Sequence, residues 1–589
     1  MCGIVGFAGS LYPSTQLREI MRLACSQLRH RGPDEQGEFY EQGIAFGISR
    51  LAIRDPVNGS QPMTRHGMTI IFNGELYETQ SLKADLQQKG YQFTTDCDTE
   101  IFLYAFIEHG PSILVQLAGM FAFAIWDEKI KRLYLGRDRW GEKPLYYTYG
   151  NDYLAFASEV KALRAFPNIR WQVALKDISL FLKNSYIVAP NTGWEHIFKL
   201  EQGSFMTWHE GKLSKKTYFQ PPFTGNLNDS NPLEKAEELL HLLSSSVKSC
   251  SQSDKSVGAF LSGGIDSTTI ASLLSQHLSD FPLFSVCWDD LEYSEEEYAK
   301  EAAQAVGMKH YTVNCDALFL ENYFDYVVSL YDEPFADESM IPTYCLAKFA
   351  KQHVDVVLTG DGADEFFYGY ERYFFEGAID QYFDVFSAMS KEVKEVICTN
   401  ELLKYNDQAH LDVLMNEFSE KKMGFGSNRI RSWIDIKTYL ADDILTKLDR
   451  AAMGVGLEAR APFLTPKVTN FALNCSMQQL TGPQNQGKEV LRLAMRNHLP
   501  ARILHRKKMG FGVPLNKWFK TTLKDWMISR LTEGCLLDTN WFSDSGIRRI
   551  IDMHLSGQAN HSRAIFNLIV LEAWLRFNSS SHFSFPKKV

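Results

Sequence analysis

Three groups of residues in this chain combine type and spacing in ways that could do chemistry. The first is Cys2, within Met1-Cys2-Gly3-Ile4-Val5-Gly6. Once Met1 is clipped, Cys2 becomes the amino terminus, and one residue carries both a nucleophile and a base. The thiolate is the reactive form of cysteine. A free α-amine titrates at about 7.7–8.0, so it can take the thiol proton near neutral pH. Taken alone, Cys2 reads more readily as a small buried residue that opens a strand.

The second group is Ser262-Gly263-Gly264-Ile265-Asp266-Ser267, directly after the strand-like run Val257-Gly258-Ala259-Phe260-Leu261 and before a helical pattern. Two glycines let the backbone turn tightly and approach a ligand. Successive N–H groups ahead of a helix N-terminus form an anion nest, and Ser262 and Ser267 add hydroxyls. Asp266 would repel a bare phosphate, so a bridging Mg²⁺ is expected. The Gly-Lys-Ser/Thr ending of a Walker A loop is missing. The third group is Thr359-Gly360-Asp361-Gly362-Ala363-Asp364-Glu365, after Val356-Val357-Leu358. Ligands of open α/β sheets bind beyond the carboxyl ends of strands. Asp266 and Asp364 are therefore expected to share the metal. The plainer alternatives are an ordinary strand-to-helix turn and solvated turn acids.

The elements that must position these groups change character along the chain. Short β-branched or aromatic runs at 3–8, 68–72, 120–126, 132–135 and 153–157 predict strands, and 15–28 and 98–108 predict helices. Strands with few helices suggest packed sheets with helices outside. Residues 219–232 are rich in Pro, Gly, Asn and Ser and read as a linker. Beyond them, strands at 257–261, 282–287 and 354–358 alternate with helices at 268–277, 295–306 and 341–351, which predicts a parallel α/β sheet. From Gly369 onward the pattern is mostly helical.

A chain of 589 residues is too long for one ordinary core. Its 45% hydrophobic and 22% charged content is that of a globular protein. A net charge of −10 and a pI near 5.9 argue against a general nucleic-acid or anionic-membrane binder. The 10 cysteines show no Cys-x-x-Cys pair and suit a reducing cytoplasm. Neither a signal peptide nor a membrane span is expected.

With these residues in view, the chain resembles the glutamine-dependent asparagine synthetase family over nearly its whole length. Met1-Cys2-Gly3-Ile4, Arg31-Gly32-Pro33-Asp34, Ser49-Arg50-Leu51, Asn73-Gly74-Glu75 and Cys97-Asp98-Thr99-Glu100 resemble a class II glutamine amidotransferase. Such a domain is an N-terminal-nucleophile hydrolase with a four-layer αββα fold. The loops at 262–267 and 360–365, with Gly456-Leu457-Glu458-Ala459-Arg460-Ala461-Pro462-Phe463-Leu464 and Arg506-Lys507-Lys508-Met509-Gly510-Phe511, resemble the family's ATP-pyrophosphatase domain. The implied division is 1–218 for the glutaminase, 219–232 for a linker, and 233–589 for a parallel-sheet synthetase domain with a helical C-terminal part.

The resemblance also implies roles. Cys2 would attack the glutamine amide, with Asn73 and the Gly74 N–H holding the oxyanion. Arg50 would fork the α-carboxylate, and Asp98 and Glu75 would receive the α-ammonium. Leu261 and Val286 would line the adenine, Thr359 and Gly360 the nucleotide, and Ser262, Gly263, Gly264, Asp266 and Ser267 its phosphates. Lys508 would neutralise phosphate charge, and Asp361 would act near the acyl-adenylate. ATP and Mg²⁺ are implied, and a homodimer is compatible with the family.

Two departures bear on the acceptor: Thr465 replaces an Asp common after Pro-Phe-Leu, and Asp361 stands where some relatives carry Glu. The leading expectation is ATP-dependent amidation of aspartate. The alternative is the same chemistry on another carboxylate, such as an envelope sugar acid or a secondary-metabolite precursor. A glutamine-fed sugar-phosphate transferase would not need the 262–267 loop. A catalytically dead relative would not retain Cys2, Arg50, Asn73, Asp98, Asp266 and Asp364 together. For aspartate, the ammonium partners would come from Asp337, Glu338 and Asp361, and a carboxylate fork from Arg429, Arg431, Arg450 or Arg460.

Overall fold

The computed structural model describes residues 1–220, 231–290, 293–377, 385–405, 427–507, 510 and 512–578. Its first half is built on two antiparallel sheets. In chain order the strands are β1 (Cys2–Gly9), β2 (Glu35–Glu41), β3 (Ile44–Arg50), β4 (Met63–Arg65), β5 (Met68–Leu76), β6 (Gly119–Asp127), β7 (Arg132–Arg137), β8 (Tyr146–Tyr149), β9 (Tyr153–Ala157), β10 (Phe198–Lys199), β11 (Ser204–His209) and β12 (Lys212–Thr217). One sheet runs β10-β8-β9-β1-β3-β2 and the other β12-β11-β7-β6-β5-β4.

The inner faces meet in a core of Cys2, Ile4, Phe46, Ile48, Ile71, Ala122, Trp126 and Leu135. Helix Ser14–Ser26 covers one outer face with Leu17, Ile20, Met21 and Ala24, spaced one helical turn apart. Helix Asp98–His109 covers the other, with Phe102 and Phe106 against Phe72 and Phe123. These are the four αββα layers. β1 is buried on both faces because it lies inside this sandwich. Burial on both faces removes the polar alternation by which strands are usually read.

The sequence pattern missed β2, β3, β4, β8, β10, β11 and β12 and ended β5 at residue 72. β5 continues through Asn73, Gly74 and Glu75, polar residues that a periodicity argument reads as a strand end. Gly74 is required there: a Cβ would stand 2.2 Å from the Met120 carbonyl oxygen on β6.

The second half opens with helix Pro232–Cys250, capped by the Asn231 side chain, which accepts from the Leu233 N–H at 3.0 Å. The sequence placed Pro232 in the linker; it starts this helix instead, and 221–230 lie outside the described residues. A parallel sheet follows, of β13 (Val257–Phe260), β14 (Leu283–Cys287), β15 (His310–Asn314), β16 (Val356–Leu358) and β17 (Glu458–Arg460), ordered β15-β14-β13-β16-β17. The order reverses between β13 and β16, which are paired neighbours. That topological switch point is where an open α/β sheet leaves a crevice, and both glycine-acid loops leave it. Helix Ser427–Asp435 continues as a π-helix, Ile436–Ile444, and then as helix Leu445–Met453.

Buried ion pairs join the halves. Arg31 forks Asp449 at 2.8 and 3.0 Å, and Lys143 reaches Asp449 at 3.1 Å. Arg450 meets Glu159 at 2.7 Å, and Lys199 meets Glu333 at 2.6 Å. Charges this deep are tolerated only when paired. No described helix is long and apolar enough to cross a membrane.

Candidate active sites

The first site lies where β1 and β5 face each other. The Cys2 N–H donates to Asn73 Oδ1 at 2.9 Å. Asn73 is fully buried, and its Nδ2 has no hydrogen-bond partner among the described residues. An orphaned buried donor costs about 1–3 kcal/mol. Beside Cys2, such a donor has the chemistry to hold an oxyanion. Burial raises the Cys2 thiol pKa, while the N-terminal ammonium pulls it down.

Met1 is itself buried, and its amine pairs with Glu458 of β17 at 2.8 Å. Burial acts to raise the Glu458 carboxyl, but that ammonium and Arg460 hold it at about 2. Arg31 Nε donates to the Cys2 carbonyl at 3.1 Å.

The acids expected to receive an ammonium are close by. Glu75 pairs with Arg54 at 3.0 Å and with Arg460 at 3.5 Å. Burial pushes its carboxyl up to about 8. Asp98 accepts from the Leu76 N–H at 2.8 Å and is also raised by burial. Arg50 donates to Glu35 at 2.9 Å and to the carbonyls of Asp55, Pro56 and Arg54. A ligand carboxylate at Arg50 would have to exchange with these contacts.

The second site is a cavity of about 610 Å³ at the switch point. Leu261, Ser262, Asp266, Ser267, Val286, Thr359, Gly360, Asp361 and Asp364 all line it, so two loops far apart in sequence converge. A smaller cavity of about 240 Å³ shares Ser262 and Asp266, and adds Gly264, Lys488, Arg492, His505, Arg506 and Lys507. Gly263 lines neither; its φ of +72° makes the turn. The loop is braced internally: the Ser262 N–H donates to Ser267 Oγ at 3.1 Å, and the Gly264 N–H to Ser262 Oγ at 3.3 Å. Those two N–H groups are thus taken by hydroxyls rather than held open as a nest.

Sequence reasoning missed Lys488. Its ammonium contacts Asp266 Oδ2 at 2.6 Å and also Asp364 Oδ1. One lysine thus draws together the two carboxylates expected to share a metal. Among the described residues no group of three or more His, Cys, Asp or Glu gathers to hold an ion. Two carboxylates beside a phosphate-sized basic cavity still fit Mg²⁺, which takes its remaining ligands from phosphates and water. Lys508 lies outside the described residues.

The expected arginine fork is corrected. Arg429 donates to the carbonyls of Leu473 and Cys475, and Arg431 to those of Tyr373 and Gly377. Arg450 and Arg460 serve the pairs described above. None of the four lines the cavity; among the described residues its cations are Arg372, Lys447 and Arg563. Asp337, Glu338 and Asp361 do line it. Thr465 is a structural residue, bonded to Ser246 Oγ at 2.9 Å and away from the cavity.

The chain thus brings together a buried cysteine beside an amide donor that has no partner among the described residues, and an α/β crevice with paired acids. The sequence profile of the glutamine amidotransferase domain matches residues 1–219, and that of asparagine synthase matches residues 238–576. Asparagine synthetase [glutamine-hydrolyzing] 1 of Bacillus subtilis is 32% identical, over 98% of this chain and 97% of that protein. A putative asparagine synthetase [glutamine-hydrolyzing] of Mycobacterium bovis is 30% identical, over 98% and 97%. Asparagine synthetase B of Escherichia coli is 27% identical, over 89% and 84%. The chain belongs to the glutamine-hydrolysing asparagine synthetase family, a family of ligases.

Proposed function

We propose that the chain takes ammonia from glutamine at Cys2 and transfers it to aspartate, activated as an acyl-adenylate at the switch-point cavity. The observation that carries this reading is the pairing of Asp266 and Asp364 on one lysine, with both acids lining a cavity of about 610 Å³.

In the first reaction the Cys2 sulfur adds to the glutamine amide carbon and Asn73 Nδ2 donates to the oxyanion. Ammonia leaves, and water then releases glutamate. In the second, an acceptor carboxylate oxygen attacks the α-phosphorus of ATP and pyrophosphate departs. Ammonia then attacks the acyl carbon, expelling AMP and leaving an amide. Asp266 and Asp364 would hold Mg²⁺, which screens phosphate charge as pyrophosphate leaves. Lys488 neutralises the same charge from the protein side.

The test is stoichiometry. Glutamine, Mg²⁺-ATP and aspartate should yield glutamate, AMP, pyrophosphate and asparagine in equal amounts. Active glutaminase with neither AMP nor asparagine formed would remove aspartate as the acceptor.

A further inference from the structure

The acidic loop after β16 is held from both halves of the chain. Asp361 lies on a turn, and Asp364 on the short helix Ala363–Phe367 that follows. A helix of five residues has too few bonds of its own to be stable alone, so its place is set by what it packs on. Asp364 lines the cavity, while Phe366 and Phe367 turn into the core. The same helix carries the central lysine, because the Lys488 N–H donates to the Phe367 carbonyl at 2.7 Å. A shift of this helix therefore moves Asp364 and Lys488 together.

The second half supplies one part of the seat, Pro462–Leu464. Phe367 and Phe463 meet with 6.0 Å between ring centres, and a Cβ on Gly362 would stand 2.3 Å from Leu464 Cδ2. The first half supplies Trp140. Its ring meets Phe366 edge-on, 4.9 Å between centres at 73°, and its Nε1–H donates to the Leu464 carbonyl at 3.1 Å. Trp140 thus clamps the helix and its seat at once. The loop that carries Trp140 is itself braced. The fully buried Asp138 carboxylate accepts the N–H groups of Phe121, Trp140, Gly141, Glu142 and Lys143 at 2.7–3.1 Å. Five donors on one ionised acceptor fix the backbone from 138 to 143.

Resting on the amide-ligase reading, we infer that Trp140, in the first half, is a positioning residue for the ligase reaction of the second. It acts through Phe366 and Leu464, which hold the helix Ala363–Phe367 where Asp364 and Lys488 meet Asp266. Its two contacts do different work. The edge-on aromatic pair fixes direction as well as burying area. The indole N–H fills a carbonyl that would otherwise lie unpaired in the core. A misplacement of about 1 Å, caused by a change far from the chemistry, can cost about 100-fold in rate. The adenylation step therefore depends on the first half even when ammonia is supplied from solution and Cys2 stands idle.

The experiment compares full-length wild type, W140F, W140A, L464A and W140A/L464A. Amide hydrogen exchange of the ligand-free protein reads the acidic loop directly. In W140A, residues 359–367 should exchange about 10-fold faster, with Met68–Leu76 of β5 unchanged. AMP formation from Mg²⁺-ATP, aspartate and added ammonia should fall about 10- to 100-fold in kcat, while glutamine hydrolysis stays within about threefold of wild type. W140F keeps a ring and lacks the N–H, so it should recover most of the rate. L464A removes the packing over Gly362, and its loss should be less than additive with that of W140A.

Unchanged exchange across 359–367 in W140A would overturn the inference. Equal loss of both activities in W140A and W140F would make Trp140 a structural residue and overturn it too, as would losses in W140A and L464A that simply add. A wild type that forms no AMP from aspartate while glutaminase is intact would end the aspartate reading alone. Hydrogen exchange and Mg²⁺-ATP affinity then decide this inference: W140A should bind about 10-fold more weakly, and unchanged affinity would overturn it.

Discussion

Lys488 holds together two acids that would otherwise repel. It sits 222 residues from Asp266, at the start of a short helix, with a left-handed φ of +55°. Nothing in Gln486-Gly487-Lys488-Glu489 marks it locally, which is why the sequence pointed instead to Lys508. K488M should cut pyrophosphate release by roughly 10²- to 10³-fold and leave glutamine hydrolysis near wild type, checked by parallel assays. C2A should abolish glutamate formation and retain synthesis from added ammonia, because the nucleophile and the adenylation cavity lie on different sheets. Equal loss of both activities would mark Cys2 as structural. Cys2, Asp266 and Asp364 could be proposed from local chemistry, a terminal thiol or an acid among glycines after a strand, whereas Asn73 came only from the family resemblance. Arg372 and Lys447 were not legible. A helical arginine's sequence does not say whether it meets a carbonyl, as Arg429 and Arg431 do, or faces a cavity.

Among the elements, the switch point was the most legible. Strands alternating with helices fix a parallel sheet, and the glycine-acid loops fix which strand ends matter. The helix after the first loop begins at Ile265 rather than 268, which shortens the loop and makes Gly263 its pivot. A Cβ on Gly263 would meet Tyr298 C at 2.4 Å and Ala299 N at 2.5 Å, at a φ that disfavours side chains. G263A should therefore weaken nucleotide binding at least tenfold and lower stability by about 1–3 kcal/mol, read by ATP titration and thermal unfolding. The π-helix was not legible. Its residues, Ile436–Ile444, have ordinary helical propensities, so nothing in their composition marks the wider turn.

For the molecule as a whole, the ion pairs between the halves set a pH limit. Asp449, raised by burial but more strongly lowered by Arg31 and Lys143, stands at about 2, as does Glu458. Unfolded carboxyls titrate at about 3.9–4.3. A depressed folded value gives stability that is present above the unfolded value and is lost as pH falls through the folded one. The docked protein should thus lose stability between about pH 4 and pH 2, followed by tryptophan fluorescence, and D449N should flatten that loss. These pairs were invisible in sequence because their members lie hundreds of residues apart. The burial of Met1 sets a matter of timing. Its amine is enclosed by Glu458, 457 residues later in the chain. For a chain begun at Met1, that lid does not exist until Glu458 has been synthesised, which at roughly 5–20 residues per second takes on the order of 20–90 s. An aminopeptidase acting within this interval meets a free end, and one arriving later meets a closed protein. With Met1 retained, the α-amine of Cys2 stays in a peptide bond and cannot serve as a base.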